Sequence, residues 1–258
     1  VGSLNIDDAY NRYQPLLQQY TDNGYQTILI LTHQTYGEGR DEFLPWSEMT
    51  DAKWRQLSDE LAIMACQIAK QYDQQGIVKV YQIWNEQDAP IGARASVSMS
   101  NENYAYMVTQ VSQAIRTADP EALIITGGYV SGPGDGVQNA LKMVRLLPST
   151  TLLDGIAFHP YGRGVDFNSP YRVYGHIDAS IQAYSAILPG KPLWVTEFGV
   201  LNRVVDPSPE IAEYAMSMLN YVDKWYGDRV AAMVWYAWAE GMDNGYGLVD
   251  NDENPRPI

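Results

Sequence analysis

Short apolar runs rich in β-branched residues alternate along the chain with longer segments in which apolar positions recur every three or four residues. The first pattern predicts buried strands, and the second predicts amphipathic helices. The predicted strands are residues 27–32, 78–84, 123–126, 156–158, 193–196 and 230–236. The predicted helices are residues 6–23, 51–72, 101–118, 137–147, 174–188 and a last one that ends near 226.

Each predicted strand is reached through a helix, which is typical of an α/β protein with a mainly parallel sheet. The last helix has a clear start signal, because Ser208 is an N-cap residue and Pro209 fits the first helical position. No linker, repeat or low-complexity tract interrupts the series. We therefore expect a single domain over residues 1–258.

Polar and aromatic side chains follow the carboxyl ends of these strands. A (β/α)8 barrel carries its catalytic groups at that end, and so does an open doubly wound sheet. The open sheet usually has a Gly-rich phosphate turn after its first strand, whereas residues 32–36 read THQTY. The predicted fold class is therefore α/β of the (β/α)8 TIM-barrel type, with about six barrel strands evident.

The composition indicates which partners to expect. A net charge of −14 argues against nucleic acid and anionic membranes, and no apolar run is long enough to span a membrane. The chain has 19 Tyr and 7 Trp but only 4 Phe. Tyr and Trp combine a flat apolar face with a polar tip, which suits stacking on sugar rings. The expected partner is a carbohydrate substrate.

Two glutamates each end a short apolar run. Glu86 closes the string IWNE at residues 83–86, and Glu197 lies in WVTEFG at residues 194–199. A pair of carboxyl groups at the rim of one sheet is the arrangement that glycoside hydrolysis requires. A second Asn-Glu pair, Asn101–Glu102, opens a helix and is interpreted as a cap and dipole partner.

These motifs, in this order, resemble retaining glycoside hydrolases of clan A, with families 5 and 39 the most similar. Asn85 and Glu86 match the Asn-Glu pair that ends the fourth barrel strand of the clan. Glu197 matches the nucleophile that ends the seventh strand, and two predicted strands lie between the two acids, as in the clan. His159 and Tyr161 match a His-x-Tyr on the sixth strand.

The resemblance implies a role for each matched residue. Glu86 is the expected general acid/base, and Glu197 is the expected nucleophile. Asn85 would bind the sugar 2-hydroxyl, and Tyr161 would donate a hydrogen bond to Glu197. His159 would line the site near the cleaved bond.

Two further substrate-binding positions follow from the same resemblance. His33 matches a third-strand histidine, and the eighth-strand tryptophan that forms the floor of the sugar site is Trp238 or, as second choice, Trp235. The strand period of two allows only one of these two tryptophans to face inward. Four loop aromatics are candidates for outer subsites or plain packing: Tyr36, Trp46, Tyr129 and Tyr246.

The chain departs from the clan pattern at its ends. If residues 27–32 form the third strand, the first two strands and the arginine of the second have no counterpart, and the chain stops before the last helix. We expect an edge left open in this way to be covered by a second chain or a missing segment. The expected location is secreted or extracellular, although no signal peptide is visible.

No cofactor and no metal are expected, since no His/Cys cluster has zinc spacing and Pro255 replaces the Gly of a calcium loop. The predicted function is retaining hydrolysis of β-glycosidic bonds in a neutral polysaccharide or oligosaccharide. A non-catalytic carbohydrate-binding protein or inactive barrel fragment is the alternative from another class. A transglycosylase would use the same residues, and the sequence does not name the sugar.

Overall fold

The structure, a computed structural model, describes residues 6–33, 35, 46–90, 96–161, 176–199, 208–239, 247–252 and 254–255. The six strands in these residues are β1 (Thr27–Leu31), β2 (Val78–Ile83), β3 (Leu123–Thr126), β4 (Ile156–Phe158), β5 (Leu193–Phe198) and β6 (Val230–Trp235). The α-helices are α1 (Ile6–Asp22), α2 (Asp51–Tyr72), α3 (Asn101–Ala118), α4 (Val137–Leu146), α5 (Ile177–Ser185) and α6 (Ser208–Tyr226). The predicted alternation of helices with six parallel strands is confirmed.

The chain divides into two compact units, which we call unit 1 and unit 2. Unit 1 comprises residues 1–129 and 138–155, and unit 2 comprises residues 130–137 and 156–258. The expectation of one domain over the whole chain stays a prediction. No helix in the described part of the chain is both long enough and apolar enough to cross a membrane.

Unit 1 contains a three-stranded parallel sheet in the order β1-β2-β3. The central strand β2 is buried except for Lys79, as is usual for a parallel strand covered on both faces. The outer strand β1 is equally apolar in sequence but only partly buried, with Ile30 40% exposed. Helices α2 and α3 pack against each other, and each begins at a capping side chain, Thr50 and Ser100 respectively.

A charged group ties the end of α3 to the sheet of unit 1. The Asp154 carboxylate accepts hydrogen bonds from Arg116 Nη2 at 2.5 Å and from the backbone N–H of Ile124 at 2.9 Å. Both side chains of this ion pair are about three-quarters buried. Hydrogen bonds to a charged group in such surroundings are stronger than neutral ones. Asp154 therefore helps to hold the start of β3 against the end of α3.

Unit 2 contains a second three-stranded parallel sheet in the order β4-β5-β6. Strand β5 is the centre and is almost wholly buried, whereas β6 is partly exposed, with Val234 41% exposed. Between the pairs Val195–Met233 and Phe198–Trp235 the register shifts by one residue. Two residues of β5 thus face one residue of β6, which is a β-bulge.

Three predicted boundaries were wrong in ways that concern the site. Strand β2 ends at Ile83, because Trp84 has φ 69° and leaves the extended region. Glu197 lies inside β5, which continues to Phe198. Strand β6 ends at Trp235, so Trp238 is not a strand residue and the period-of-two argument does not apply to it. The start predicted for the fifth helix, at residue 174, lies outside the described residues.

Candidate active site

The segment that carries Glu86 makes an unusual turn directly after β2. Trp84 and Glu86 have φ values of 69° and 48°, in the left-handed region that non-glycine residues seldom adopt. Three hydrogen bonds hold the turn: Trp84 N–H donates to Leu31 O at 2.8 Å, Glu86 N–H donates to Gly128 O at 3.1 Å, and Ala89 N–H donates to Glu86 O at 3.0 Å. Strained conformations of this kind persist when surrounding contacts fix them, and they concentrate at functional sites.

Asn85 is oriented by a buried glutamine of β2. The Gln82 side chain is fully buried, and its Nε2 donates to Trp84 O at 3.0 Å and to Asn85 Oδ1 at 3.1 Å. The second bond fixes which end of the Asn85 amide is engaged with the protein. Among the residues that the structure describes, Asn85 Nδ2 donates to no protein group, which suits a role as donor to a ligand hydroxyl.

A second set of hydrogen bonds supports the segment that carries Glu86, and it involves Gln87, Gly127 and Tyr104. Gln87 is 3% exposed, and its Nε2 donates to Gly127 O at 3.3 Å. The buried Tyr104 hydroxyl donates to Ile83 O at 2.8 Å and accepts from Gly127 N–H at 2.6 Å. Burial raises the pKa of the Tyr104 phenol, so the hydroxyl keeps the proton that it donates. These contacts join the ends of β2 and β3.

His33 lies two residues after β1 and contacts aromatic rings of unit 1. Its ring centroid is 4.8 Å from that of Trp46 and 5.2 Å from that of Trp84. Trp84 is almost fully buried, and its Nε1 donates to Val97 O at 2.8 Å. Unit 1 thus brings His33 against the turn that carries Asn85 and Glu86.

The candidate nucleophile of unit 2 lies on a short run of polar residues at the end of β5. Glu197 Oε2 accepts a hydrogen bond from the Tyr161 hydroxyl at 2.7 Å, and its side chain is 17% exposed. The β-bulge falls at Thr196 and Glu197, so it changes the direction of the strand at the carboxylate. A carboxylate that is hydrogen-bonded and still reached by solvent is suited to meet a substrate.

His159 lies beside the Glu197 carboxylate. Its side chain is fully buried, and His159 Nε2 lies 3.1 Å from the Thr196 hydroxyl. His159 Nδ1 lies 3.6 Å from Glu197 Oε2, beyond ordinary hydrogen-bond distance. The rings of His159 and Tyr161 meet edge to face, with centroids 6.4 Å apart. Unit 2 therefore brings together three of the predicted site residues: His159, Tyr161 and Glu197.

The two predicted floor tryptophans differ in their surroundings. Trp238, the first choice, is 65% exposed and lies beyond the end of β6. Trp235, the second choice, meets Phe198 edge to face at 5.2 Å, and its Nε1 is buried without a hydrogen-bond partner in the described part of the chain. The two residues are therefore not inward and outward positions of one strand, as the sequence suggested. Which of them stacks on sugar stays a prediction.

Sequence reasoning missed the residues that position the site: Gln82, Gln87, Tyr104, Gly127 and Thr196. Only Gln82 carried a signal, because a glutamine inside a buried apolar strand needs a polar partner. Of the outer aromatics, Trp46 contacts His33 and Tyr129 is buried. Tyr36 and Tyr246 lie outside the described residues.

Helices alternate with parallel strands, and each unit has one candidate carboxylate near the carboxyl end of a strand, as in α/β-barrel glycoside hydrolases. The chain belongs to the cellulase family, glycosyl hydrolase family 5, whose model matches residues 2–241. Among curated proteins no sequence matches the chain. The predicted resemblance to clan A is confirmed by this family, and the predicted class of enzyme, a glycosidase, is the class that the family has.

Solved structures share the fold. The chain is similar to a family 39 glycoside hydrolase from the gut symbiont Bacteroides cellulosilyticus, with TM-score 0.65 and 17% identity over 96% of this chain and 51% of that one. It is also similar to a psychrophilic family 10 endo-β-1,4-xylanase, with TM-score 0.65 and 17% identity over 99% of this chain and 80% of that one. A third similar structure is the hyperthermostable endo-1,4-β-D-mannanase from Thermotoga petrophila. Its TM-score is 0.61, with 17% identity over 88% of this chain and 68% of that one.

The chain spans about half the length of the family 39 relative. At these identities the likeness concerns the fold, and it confirms the predicted α/β barrel class. The predicted similarity to families 5 and 39 is likewise confirmed, the first by the family model and the second by structure.

Proposed function

We propose that the protein is a retaining glycosidase that cleaves β-glycosidic bonds of a neutral polysaccharide or oligosaccharide. The observation that carries the proposal is the Glu197 carboxylate at the end of β5, which accepts a hydrogen bond from Tyr161 at 2.7 Å in a member of glycosyl hydrolase family 5. The tight turn that presents Glu86 after β2 supports a second catalytic carboxyl group. The net charge of −14 favours a neutral substrate over a polyanion.

The proposed reaction is a double displacement. In the first step the Glu197 carboxylate attacks the anomeric carbon while Glu86 gives its proton to the departing glycosidic oxygen, so the C–O bond breaks and a glycosyl ester forms. In the second step Glu86 takes a proton from water, the water oxygen attacks the same carbon, and Glu197 leaves as a carboxylate.

The surrounding residues have supporting roles in this scheme. Asn85 Nδ2 donates to the sugar 2-hydroxyl, since Gln82 already engages Asn85 Oδ1. Tyr161 orients the nucleophile and stabilises its charge before attack. His33 and His159 line the sugar site, and Trp238 or Trp235 supplies an aromatic surface for the ring.

The stereochemical course of hydrolysis tests the mechanism. Proton NMR of the first product from an aryl β-glycoside should show the β-anomer, because two inversions give net retention. An α-anomer as first product would remove the nucleophile role from Glu197. Glucosides, xylosides and mannosides are all assayed, because the sugar is not specified.

Chemical rescue tests the role of Glu86 separately. Glu86→Ala should lose activity, and azide should restore turnover of an activated aryl glycoside and yield a β-glycosyl azide. Glu102→Ala is a matched control, because Glu102 follows an asparagine in the same way but lies in the first turn of α3. Full activity of the Glu86 variant without azide would contradict the assignment.

A transglycosylase uses the same residues, and the fate of the glycosyl ester separates the two activities. Product analysis at high substrate concentration, with sugar and water as competing acceptors, should show mainly hydrolysis. Products longer than the substrate as the dominant species would instead favour transglycosylation. A protein that binds these sugars without cleaving any of them would favour the non-catalytic alternative.

We also propose that the protein acts outside the cell and that its sheet edges are covered in the working molecule. A polysaccharide outside the cell does not cross a membrane, so an enzyme that cleaves such a polymer acts there; immunodetection in culture medium against cell lysate tests this. The exposed apolar side chains of β1 and β6, which include Ile30 and Val234, favour coverage by a second chain or a further segment.

A further inference from the structure

Unit 1 contains a cavity beside the segment that carries Glu86. Its volume is about 720 Å³. Its walls are the start of α2, the start of α3, and two stretches of chain, residues 87–89 and 96–100, with one residue from α4. Cavities of about 300–1,000 Å³ typically hold small organic ligands. No residue of the proposed catalytic set lines this space.

One wall of the cavity is aromatic and rigid. Trp46 and Trp54 stack with ring centroids 5.9 Å apart and an interplanar angle of 19°. Trp54 is 5% exposed, whereas Trp46 is half-buried and also meets the His33 ring edge to face, with centroids 4.8 Å apart. Because two rings contact the Trp46 indole, little side-chain entropy is lost when a ligand binds against it.

Amides and one carboxylate form another part of the lining. Asn101 Nδ2 donates to Asn139 Oδ1 at 3.2 Å, and Asn103 Nδ2 donates to Asp51 Oδ1 at 2.9 Å. Within the described residues, Asn139 Nδ2 and Asn101 Oδ1 have no protein partner. These two residues line the cavity and keep one donor and one acceptor for a ligand, which suits hydroxyl groups.

The charge of the cavity indicates which ligands fit. The described lining residues include Asp51 and Asp88, and none of them is Lys, Arg or His. An anionic ligand would meet only negative charge there. A neutral polyhydroxyl ligand can stack on Trp46 and exchange hydrogen bonds with the amides of the lining.

We propose that this cavity binds one neutral sugar unit of the substrate chain, away from the cleaved bond. The inference rests on the proposed glycosidase function and extends it. Residues 87–89 both line the cavity and follow Glu86 directly, so a bound chain would run along this segment toward the catalytic carboxyl group. The enzyme should therefore favour oligosaccharides over small aryl glycosides.

The test compares chain lengths in matched variants. Cello-, xylo- and manno-oligosaccharides of two to six units are assayed beside the aryl glycoside of the same sugar. In Trp46→Ala and in Asn139→Ala, kcat/KM for the hexasaccharide should fall about tenfold or more relative to kcat/KM for the aryl glycoside. Trp225→Ala is the control, because Trp225 is an exposed tryptophan on α6, and it should leave this ratio within about twofold.

Equal losses on both substrates in both variants, or no loss on the hexasaccharide, would overturn the proposal. Thermal unfolding identifies a variant that fails to fold, and Asn139→Ala then carries the test alone. Calorimetric titration of Glu197→Ala with the hexasaccharides measures binding in a variant that lacks the proposed nucleophile. It therefore tests the sugar-binding cavity separately from the glycosidase function. Binding that Trp46→Ala weakens supports the cavity even if no substrate is hydrolysed, and binding that it leaves unchanged contradicts it.

Discussion

At the residue scale, the hydroxyl of Tyr161 makes a direct contact with a proposed catalytic group. It donates to Glu197 Oε2 at 2.7 Å, while the buried His159 ring stands 3.6 Å from the same oxygen. A hydrogen bond to a charged group contributes about 1.5–3 kcal/mol. Tyr161 is therefore expected to fix both the direction and the charge of the nucleophile.

Removal of this hydroxyl should slow catalysis without loss of the fold. In Tyr161→Phe we expect kcat for an aryl glycoside to fall about 10- to 100-fold, since about 1.4 kcal/mol corresponds to a factor of ten in rate. Tyr226→Phe is the control, because Tyr226 donates to the carboxylate of Asp178 on the surface of the same unit. An unchanged kcat in Tyr161→Phe, or an equal loss in the control, would contradict the role.

The sequence predicted the candidate catalytic side chains, because they lie close to the ends of apolar strands. It did not predict the backbone conformation that presents them. The strings around Glu86 and Glu197 identified both candidate acids, because apolar strands end there. The positive φ values of Trp84 and Glu86 could not be foreseen, because non-glycine residues rarely adopt them. They depend on hydrogen bonds to Leu31 and Gly128, which are distant in sequence.

At the scale of elements, the junction between β2 and β3 determines how Glu86 is presented. A Cβ atom on Gly127 would lie 2.2 Å from Gln87 Oε1 and 2.9 Å from the Trp84 backbone carbon. Both distances are too short for real contacts, and the buried Gln87 has little room to move. Glycine is thus required at residue 127 for the two strand ends to approach.

Gly127→Ala should therefore disturb the turn before Glu86. We expect a loss of about 1–3 kcal/mol in the free energy of unfolding, measured by urea denaturation, together with reduced kcat. Gly134→Ala is the control, because no atom lies within 4 Å of the Cβ position there, and it should change stability by less than about 0.5 kcal/mol. Equal stability of the two variants would contradict this account of the junction.

The sequence predicted the type and order of the elements because apolar periodicity reports which face is buried. It could not rank the strands by burial, since β1 is as apolar as β2 yet remains partly exposed. It also placed Trp238 on the last strand, because the aromatic run beyond Trp235 gave no stop signal. Those differences depend on which elements cover each strand, and tertiary packing determines that.

At the scale of the whole molecule, two features act in opposite directions: partly exposed apolar strands and a strongly acidic net charge. Ile30 and Val234 are each about 40% exposed on β1 and β6, although parallel strands are usually buried on both faces. The net charge of −14 opposes association, and the apolar strands favour it.

We expect the isolated chain of 258 residues to self-associate through these strands. Analytical ultracentrifugation over micromolar concentrations should show association in the wild type and a shift toward monomer in Ile30→Lys. Ile63→Lys is the control, because Ile63 is exposed on α2 and should leave association unchanged. A wild type that stays monomeric throughout the range would contradict coverage by a second copy.

The central claim is that Glu197 attacks the anomeric carbon and becomes covalently bound to the sugar. An activated aryl 2-deoxy-2-fluoro-β-glycoside of the sugar that the enzyme hydrolyses should form a slow-turnover ester, since the fluorine destabilises both transition states. Mass spectrometry of the digested protein should locate the added mass on the peptide that contains Glu197, and Glu197→Ala should abolish it. An adduct on any other residue, or none in an enzyme that hydrolyses the parent glycoside, would contradict the account.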